Sequence, residues 1–349
     1  MKRTRRHRLS FILASFAFAA IFSIGASRAF ADASTPATQP AINPQAIAAL
    51  ARGDTAFAKH DLPTAIAEYM NAASIDPNFE AAYVHCGDAQ TAGRHFPEAL
   101  AQYQKAIDLG SGDTQSFLRH ARCARELNDV DTAISDCNQA ISFDIRCADA
   151  YYFRGCCFLF KNDVDTAVAD FSESVALQPN NADNWYALGF AFASLNQGDY
   201  GVFAMSQAVR LRPHFADAYL IRGACYGLSK KYDLELADEK TAEQLNPKAS
   251  FPHIRAGEAC LGLNDLPNAM AELNQAIQLD NTSALAYTDR GDCYQRQGNT
   301  DLANADYRAA LQCDPNYTDA RNRLQGIQSQ NTDNDGGGGG SGDGITIRR

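Results

Sequence analysis

Trp185-Tyr186-Ala187-Leu188-Gly189-Phe190-Ala191-Phe192 is the stretch on which the architecture turns. Its glycine belongs to a series: steps of 34 residues meet Gly53, Gly87, Ala121, Gly155, Gly189, Gly223, Gly257 and Gly291. Twelve residues after each comes Ala65, Ala99, Ala133, Ala167, Gly201, Glu235, Ala269 or Ala303, and seven further on Ala72, Ala106, Ala140, Ser174, Ala208, Ala242, Ala276 or Ala310. Four residues before the first column stand Tyr83, Phe117, Tyr151, Trp185, Tyr219, His253 and Tyr287, with Ala49 breaking the column in the first unit. Pro77, Pro179, Pro213, Pro247 and Pro315 close their units. The register holds over 46–317 and defines eight units: 46–79, 80–113, 114–147, 148–181, 182–215, 216–249, 250–283 and 284–317. Self-similarity at such a period marks a repeat architecture, in which stacking buries a core that one unit cannot.

Each unit carries two helical periods. Tyr83, Cys86, Gly87 and Gln90 lie at i, i+3, i+4 and i+7, and Ala99, Tyr103, Ala106 and Ile107 repeat the pattern after a turn at Gly93-Arg94-His95. Pro63, Pro97 and Pro267 open the second helix, where a missing N–H does no harm. Asp131, Asp165, Asp199, Asp233 and Asp301 share that column, where negative charge suits the helix dipole. The small residues let the two helices approach, and the aromatics of the first helix are expected to fill the space beside them.

These columns resemble the tetratricopeptide repeat pattern, W-x2-L-G-x2-Y…A-x3-F…A…P, with the best local match at Trp185–Phe192. The resemblance implies an all-α fold, an α-solenoid built as a right-handed superhelix of helix-turn-helix repeats. Gly201 is expected to weaken the second helix of repeat five. Glu235 and Glu239 replace a small residue and an aromatic in repeat six, so packing is expected to be softest between repeats five and seven. Residues 318–328 read as a capping helix.

The ends differ from the body. Met1–Arg8 is basic, Leu9–Ala26 is an uncharged apolar run, and Ala29-Phe30-Ala31 offers a small-x-small cleavage pattern, so 1–31 reads as a signal peptide cut before Asp32. The expected location is exported, periplasmic or extracellular. No cysteine precedes Cys86, so no lipobox is present, and membrane contact is expected only if the signal stays uncleaved. Residues 32–45 read as a flexible linker and 329–349 as a disordered Gly-rich tail.

The chain has 349 residues, 46% of them hydrophobic, and a net charge of −10. Without the six basic residues of the first 31, the body holds 25 Lys and Arg against 41 Asp and Glu, a net of −16. Such a surface repels phosphate backbones and argues against a nucleic-acid partner. No G-x4-G-K-[ST], H-E-x-x-H, G-x-S-x-G or C-x-x-C occurs, so no enzyme, cofactor, metal or small-molecule substrate is expected. His85 and His120 lie on neighbouring first helices and read as packed or half-exposed imidazoles. The ten cysteines sit on the repeat lattice and read mostly as small apolar fillers, with Cys137 against Cys156 or Cys157 left open as a pairing.

The resemblance also implies a concave groove lined by first helices. Its offsets select Arg119, Arg122 and Arg125 in repeat three, Tyr152 and Phe153 in repeat four, and Tyr186 and Phe190 in repeat five. The arginines are expected to take an acidic group and the aromatics an apolar side chain of a peptide. Leu50 with Asp54 and Val84 with Asp88 stand where chaperone-tail clamps have Lys and Asn, so that partner is not supported. The expected function is a non-catalytic exported scaffold for protein–protein interaction. The alternative is a regulatory or accessory subunit of an envelope enzyme or of a secretion or assembly complex.

Overall fold

The computed structural model describes residues 42–335, and among these all regular structure is helical. The first nine helices are α1 (Pro44–Ala58), α2 (Leu62–Ile75), α3 (Glu80–Ala92), α4 (Phe96–Ala106), α5 (Thr114–Glu126), α6 (Val130–Phe143), α7 (Ala148–Phe160), α8 (Val164–Leu177) and α9 (Ala182–Ser194). They are followed by α10 (Gly198–Leu211), α11 (Ala216–Leu228), α12 (Tyr232–Leu245), α13 (Ser250–Gly262), α14 (Leu266–Leu279), α15 (Ala284–Arg296), α16 (Thr300–Cys313) and α17 (Thr318–Asp335). One compact unit ends at Leu195 and holds α1–α9; the other begins at Asn196 and holds α10–α17. Within each unit, helices adjacent in sequence pack against one another. The expected signal and most of the linker and tail fall outside the described residues. Helix α1 begins at Pro44, inside the segment read as linker, and α17 runs on to Asp335, beyond the capping helix read as 318–328.

Each repeat turns on one residue of left-handed backbone. His60, Arg94, Asn128, Asn162, Asn196, Lys230 and Asn264 take φ between 57° and 63°, and Gly298 takes φ 79°. The next N–H then folds back onto the helix just ended: Asp61 N–H donates to the Ala56 carbonyl at 3.0 Å, and Asp129 N–H to that of Ala124 at 2.8 Å. This is the Schellman closure, which satisfies carbonyls that a helix end leaves over. The residue after the turn then caps the second helix. Asp129 Oδ1 accepts from Thr132 N at 3.2 Å, Asp163 Oδ1 from Thr166 N at 3.3 Å, and Asn299 Oδ1 from Leu302 N at 3.2 Å. Asp131 and Asp165 follow inside the first turn, where the dipole favours them.

The space beside each glycine is filled from the second helix, which corrects the expectation that first-helix aromatics fill it. The filler lies sixteen residues after the glycine. A Cβ on Gly87 would lie 2.6 Å from Tyr103 Cε1, and one on Gly155 would lie 2.8 Å from Phe171 Cε1. The first-helix aromatics are reserved for other contacts, because their rings point back toward the preceding repeat end. Trp185 Nε1 donates to the Pro179 carbonyl at 2.8 Å, and Tyr83 Oη to that of Pro77 at 3.2 Å.

A second recurrent device is a guanidinium fork. Arg154 holds Asp170 through Nε at 2.9 Å and Nη2 at 2.7 Å, and its Nη1 reaches back to Asn138 Oδ1 at 2.6 Å. Arg222 repeats this with Asp238 and Ser206, and Arg290 with Asp306 and Asn274. The guanidinium planes lie 5.5, 5.2 and 5.6 Å from the rings of Tyr151, Tyr219 and Tyr287. Bidentate pairing with a ring on the other side is geometry that lysine cannot reproduce. In repeat three the same place is taken by His120, whose Nδ1 lies 2.7 Å from Asp136 Oδ2.

Repeats five to seven keep their helices, and both Glu239 carboxylate oxygens are buried there without a hydrogen bond. Helix α10 forms over its full length with Gly201 buried, so the missing side chain does not interrupt it. Glu235 and Glu239 are fully buried, and Arg255 of α13 sits against Glu235, Glu239 and Glu258. One guanidinium faces three carboxylates. Burial pushes the Glu239 carboxyl well above the usual carboxylate range; the Arg255 charge pulls the other way, and Glu235 adds to the rise. A carboxyl with a raised native value binds more protons folded than unfolded, so its contribution weakens as pH climbs past the ordinary glutamate value of 4.5.

Two outcomes follow from this packing. Gly87→Ala forces a methyl into the Tyr103 ring and should cost about 1–3 kcal/mol in a denaturant titration. Glu239→Gln should raise the melting temperature at neutral pH, with the gain shrinking toward pH 4.5 in paired scans against the wild type.

Candidate binding face of repeats three and four

Arg119, Arg122 and Arg125 stand three residues apart on α5 and therefore on overlapping faces of that helix. Arg119 Nε lies 3.4 Å from Asp88 Oδ1, and Arg125 Nη2 donates to Glu126 Oε1 at 2.7 Å. Arg122 is placed differently. Repeats one, two and eight have Asp54, Asp88 and Asp292 in its column, accepting from Tyr69, Tyr103 and Tyr307 hydroxyls at 2.9, 2.7 and 2.8 Å. Repeat three has Cys137 in place of that tyrosine, and Arg122 in place of the aspartate. The guanidinium instead lies on the Phe153 ring of the next repeat, 4.5 Å from its centroid, with that of Arg125 at 5.6 Å.

Arg122 Nε is buried and makes no hydrogen bond. Burial pushes this group below the usual guanidinium value, with Asp149 opposing the shift and Arg125 and Arg119 adding to it. A desolvated cation on a ring gains about 2 kcal/mol from the quadrupole. An unmade bond from a buried donor costs about 1–3 kcal/mol, more where the group is charged. The site is thus a positive charge held ready and incompletely compensated.

The predicted aromatics divide. Phe153 is buried beneath the two guanidinium groups, and Tyr152 meets it edge-on at 5.8 Å while also packing 5.9 Å from Phe171. Tyr186 and Phe190 are only 2% and 4% exposed, so they belong to the core and not to a face open to a peptide. Their helix α9 is buried on most sides, which a one-sided offset rule cannot register. The structure therefore brings Arg119, Arg122, Arg125, Tyr152 and Phe153 together and takes Tyr186 and Phe190 out of the set.

A second cluster was not anticipated. In the unit beginning at Asn196, Glu243 of α12, His253 of α13 and Glu272 of α14 each present a donor atom, all within 4.8 Å of one another. His253 passes unnoticed in the sequence because it fills the aromatic column. The available signal was Ala256, which stands where Arg154, Arg222 and Arg290 hold their acids, so Glu272 has no arginine fork. The ten cysteines are free thiols, including Cys137, Cys156 and Cys157, which the sequence left open as a pair. Burial pushes Cys86 and Cys157 up to about 11 and Cys225 and Cys293 up to about 12, values unsuited to a thiolate nucleophile.

Helix pairs closed by a left-handed residue, locked by a small residue against a large one, and repeated every 34 residues define a helix-turn-helix repeat array. Tetratricopeptide repeat models match residues 87–150, 148–181 and 284–317, and a TPR repeat model matches 257–298. The chain is a TPR repeat protein, with these matches falling within residues 87–317. Among solved structures it is similar to the C-terminal part of a TPR repeat-containing protein from Cytophaga hutchinsonii, at 17% identity over 68% of this chain and 98% of that one, with a TM-score of 0.55. A tetratricopeptide repeat protein from Parabacteroides merdae aligns at 16% identity over 81% of this chain and 98% of that one, with a TM-score of 0.50. The APC/C hetero-tetramer Cut9–Hcn1 aligns at 16% identity over 79% of this chain and 54% of that one, with a TM-score of 0.53. At these identities the likeness is one of fold. No curated protein matches.

Proposed function

We propose that this chain is a non-catalytic, exported scaffold that binds another protein through the α5–α7 face of repeats three and four. Repeat arrays present extended surfaces assembled from equivalent positions of successive units, and this one carries its arginines on such a surface. The observation that carries the reading is Arg122, a half-buried guanidinium resting on Phe153 with its Nε left unbonded. An acidic side chain or chain terminus of a partner would pair with the part-exposed remainder of the Arg122 guanidinium, with Arg119 and Arg125 as flanking charge. The acidic remainder of the body disfavours other acidic surfaces and so narrows binding to this patch. Export rests on the basic, apolar and small-x-small order of residues 1–31.

The test is a peptide array of matched acidic and basic sequences, probed with the mature chain and with Arg122→Met. The wild type should select acidic peptides, and the variant should lose at least about tenfold in affinity, or about 1.4 kcal/mol. Arg122→Met should meanwhile stay within about 1 kcal/mol of wild-type stability, because the ring contact and the unmade bond leave together. Unchanged acidic-peptide binding by the variant would sink the assignment. For export, Edman sequencing of the chain recovered from outside the cytoplasm should begin at Asp32; an intact Met1 terminus would contradict it.

A further inference from the structure

Two departures from the repeat pattern and one retained acid meet at one place. Repeat seven has His253 where its neighbours have Tyr219 and Tyr287, and Ala256 where they have Arg222 and Arg290, yet it keeps an acid, Glu272, at the position those arginines hold. Without a fork, Glu272 Oε2 lies 2.8 Å from His253 Nδ1 and Glu272 Oε1 contacts Lys240 Nζ. Glu243, from the preceding repeat, lies 3.4 Å from the same Nδ1 through Oε1 and 2.9 Å from Lys240 Nζ through Oε2. The three side chains are 12–15% exposed, whereas Lys240 is 41% exposed at the end of a flexible stem.

An imidazole nitrogen and two carboxylates from three helices thus converge on one point. Tetrahedral ligands held at about 2.0–2.2 Å from zinc lie about 3.3–3.6 Å from one another, close to the spacing of Nδ1 and Glu243. One Nδ1 cannot serve two carboxylates equally, since it carries at most one proton. A metal ion draws on all three at once. The lysine supplies the positive charge between the carboxylates, and it is the one member free to swing into solvent.

We propose that Glu243, His253 and Glu272 bind a divalent transition-metal ion of the zinc class, which displaces the Lys240 ammonium. The ion completes its coordination with water and ties α12, α13 and α14 together. Of these, α12 and α13 also carry the buried Arg255 and its carboxylates. Its role is that of a clamp across repeats six and seven, independent of the arginine face.

The untagged mature chain, treated with a chelator and dialysed, is titrated with Co2+ and then with Zn2+. Visible absorption and thermal unfolding are both followed. One equivalent of Co2+ should give a four- or five-coordinate spectrum without thiolate charge transfer, Zn2+ should bleach it, and either ion should raise the melting temperature. His253→Tyr restores the residue type of the neighbouring repeats and should fold as the wild type does in chelator. It should bind Co2+ more weakly by at least the roughly 10–100-fold that loss of an outer-shell partner alone costs. Lys240→Met should bind more tightly, because the competing ammonium is gone; a purely structural ion pair would gain nothing from that change. Absence of a stoichiometric cobalt spectrum, a thiolate charge-transfer band, wild-type affinity in His253→Tyr, or no gain in Lys240→Met would each overturn the proposal.

Discussion

The fold depends on one recurrent contact: a residue without a side chain in the first helix of a repeat, and the large residue sixteen positions later that occupies its place. Tyr69 against Gly53, Tyr103 against Gly87 and Tyr307 against Gly291 bring the two helix backbones close enough for the ring to bridge them. The tyrosine hydroxyls then reach the aspartate following each glycine, so one side chain serves both packing and hydrogen bonding. Where the aspartate is missing the tyrosine is missing too. Repeat four has Cys156 and Phe171, and repeat three has Arg122 and Cys137. The pair changes as a unit because a buried phenol without an acceptor is costly.

Repeat six departs furthest from this rule, with Glu239 where the ring belongs, set against Gly223. The acid is tolerated because the following repeat sends Arg255 into the same volume. A single cation shared among three carboxylates holds the local structure by charge where other repeats use shape. Removing the shared Arg255 is more damaging than the net contribution of the group suggests, since every carboxyl is then left buried without its cation. The two charged departures of the array, Arg122 on its ring and Arg255 among its acids, serve different ends. The first leaves positive charge uncompensated for another molecule. The second consumes its donors within the chain.

Most of the fold was legible in the sequence because period, small columns and proline placement are properties of backbone geometry. What escaped were side-chain choices that depend on direction. The aromatic column of the first helix looked suited to fill the space by the glycine, yet a helical side chain leans toward its own N-terminus, and Trp185 and Tyr83 reach the preceding repeat end. Tyr186 and Phe190 fit a groove offset but lie on a helix surrounded by neighbours. The arginines of repeat three were legible as charge; the ring beneath Arg122 and its unbonded Nε were not, since both arise from a neighbouring repeat. The Glu243–His253–Glu272 group is scattered over three helices with no motif, and it shows in the sequence as an absent arginine and a histidine in the tyrosine column.

The guanidinium forks carry an arithmetic of their own. Arg154 joins repeat four to Asn138 of repeat three, Arg222 joins six to Ser206 of five, and Arg290 joins eight to Asn274 of seven. From repeat four onward these arginines recur every 68 residues; the same column holds one more, Arg52 of repeat one, which pairs with Glu68 at 2.7 Å. Covalently the array counts by single repeats, but this linkage counts by twos. From repeat three to repeat eight the linked unit is therefore a couple, one repeat bearing the arginine and the one before it the acceptor. Removing one interior repeat of this stretch would set two arginine-bearing repeats, or two without an arginine, side by side.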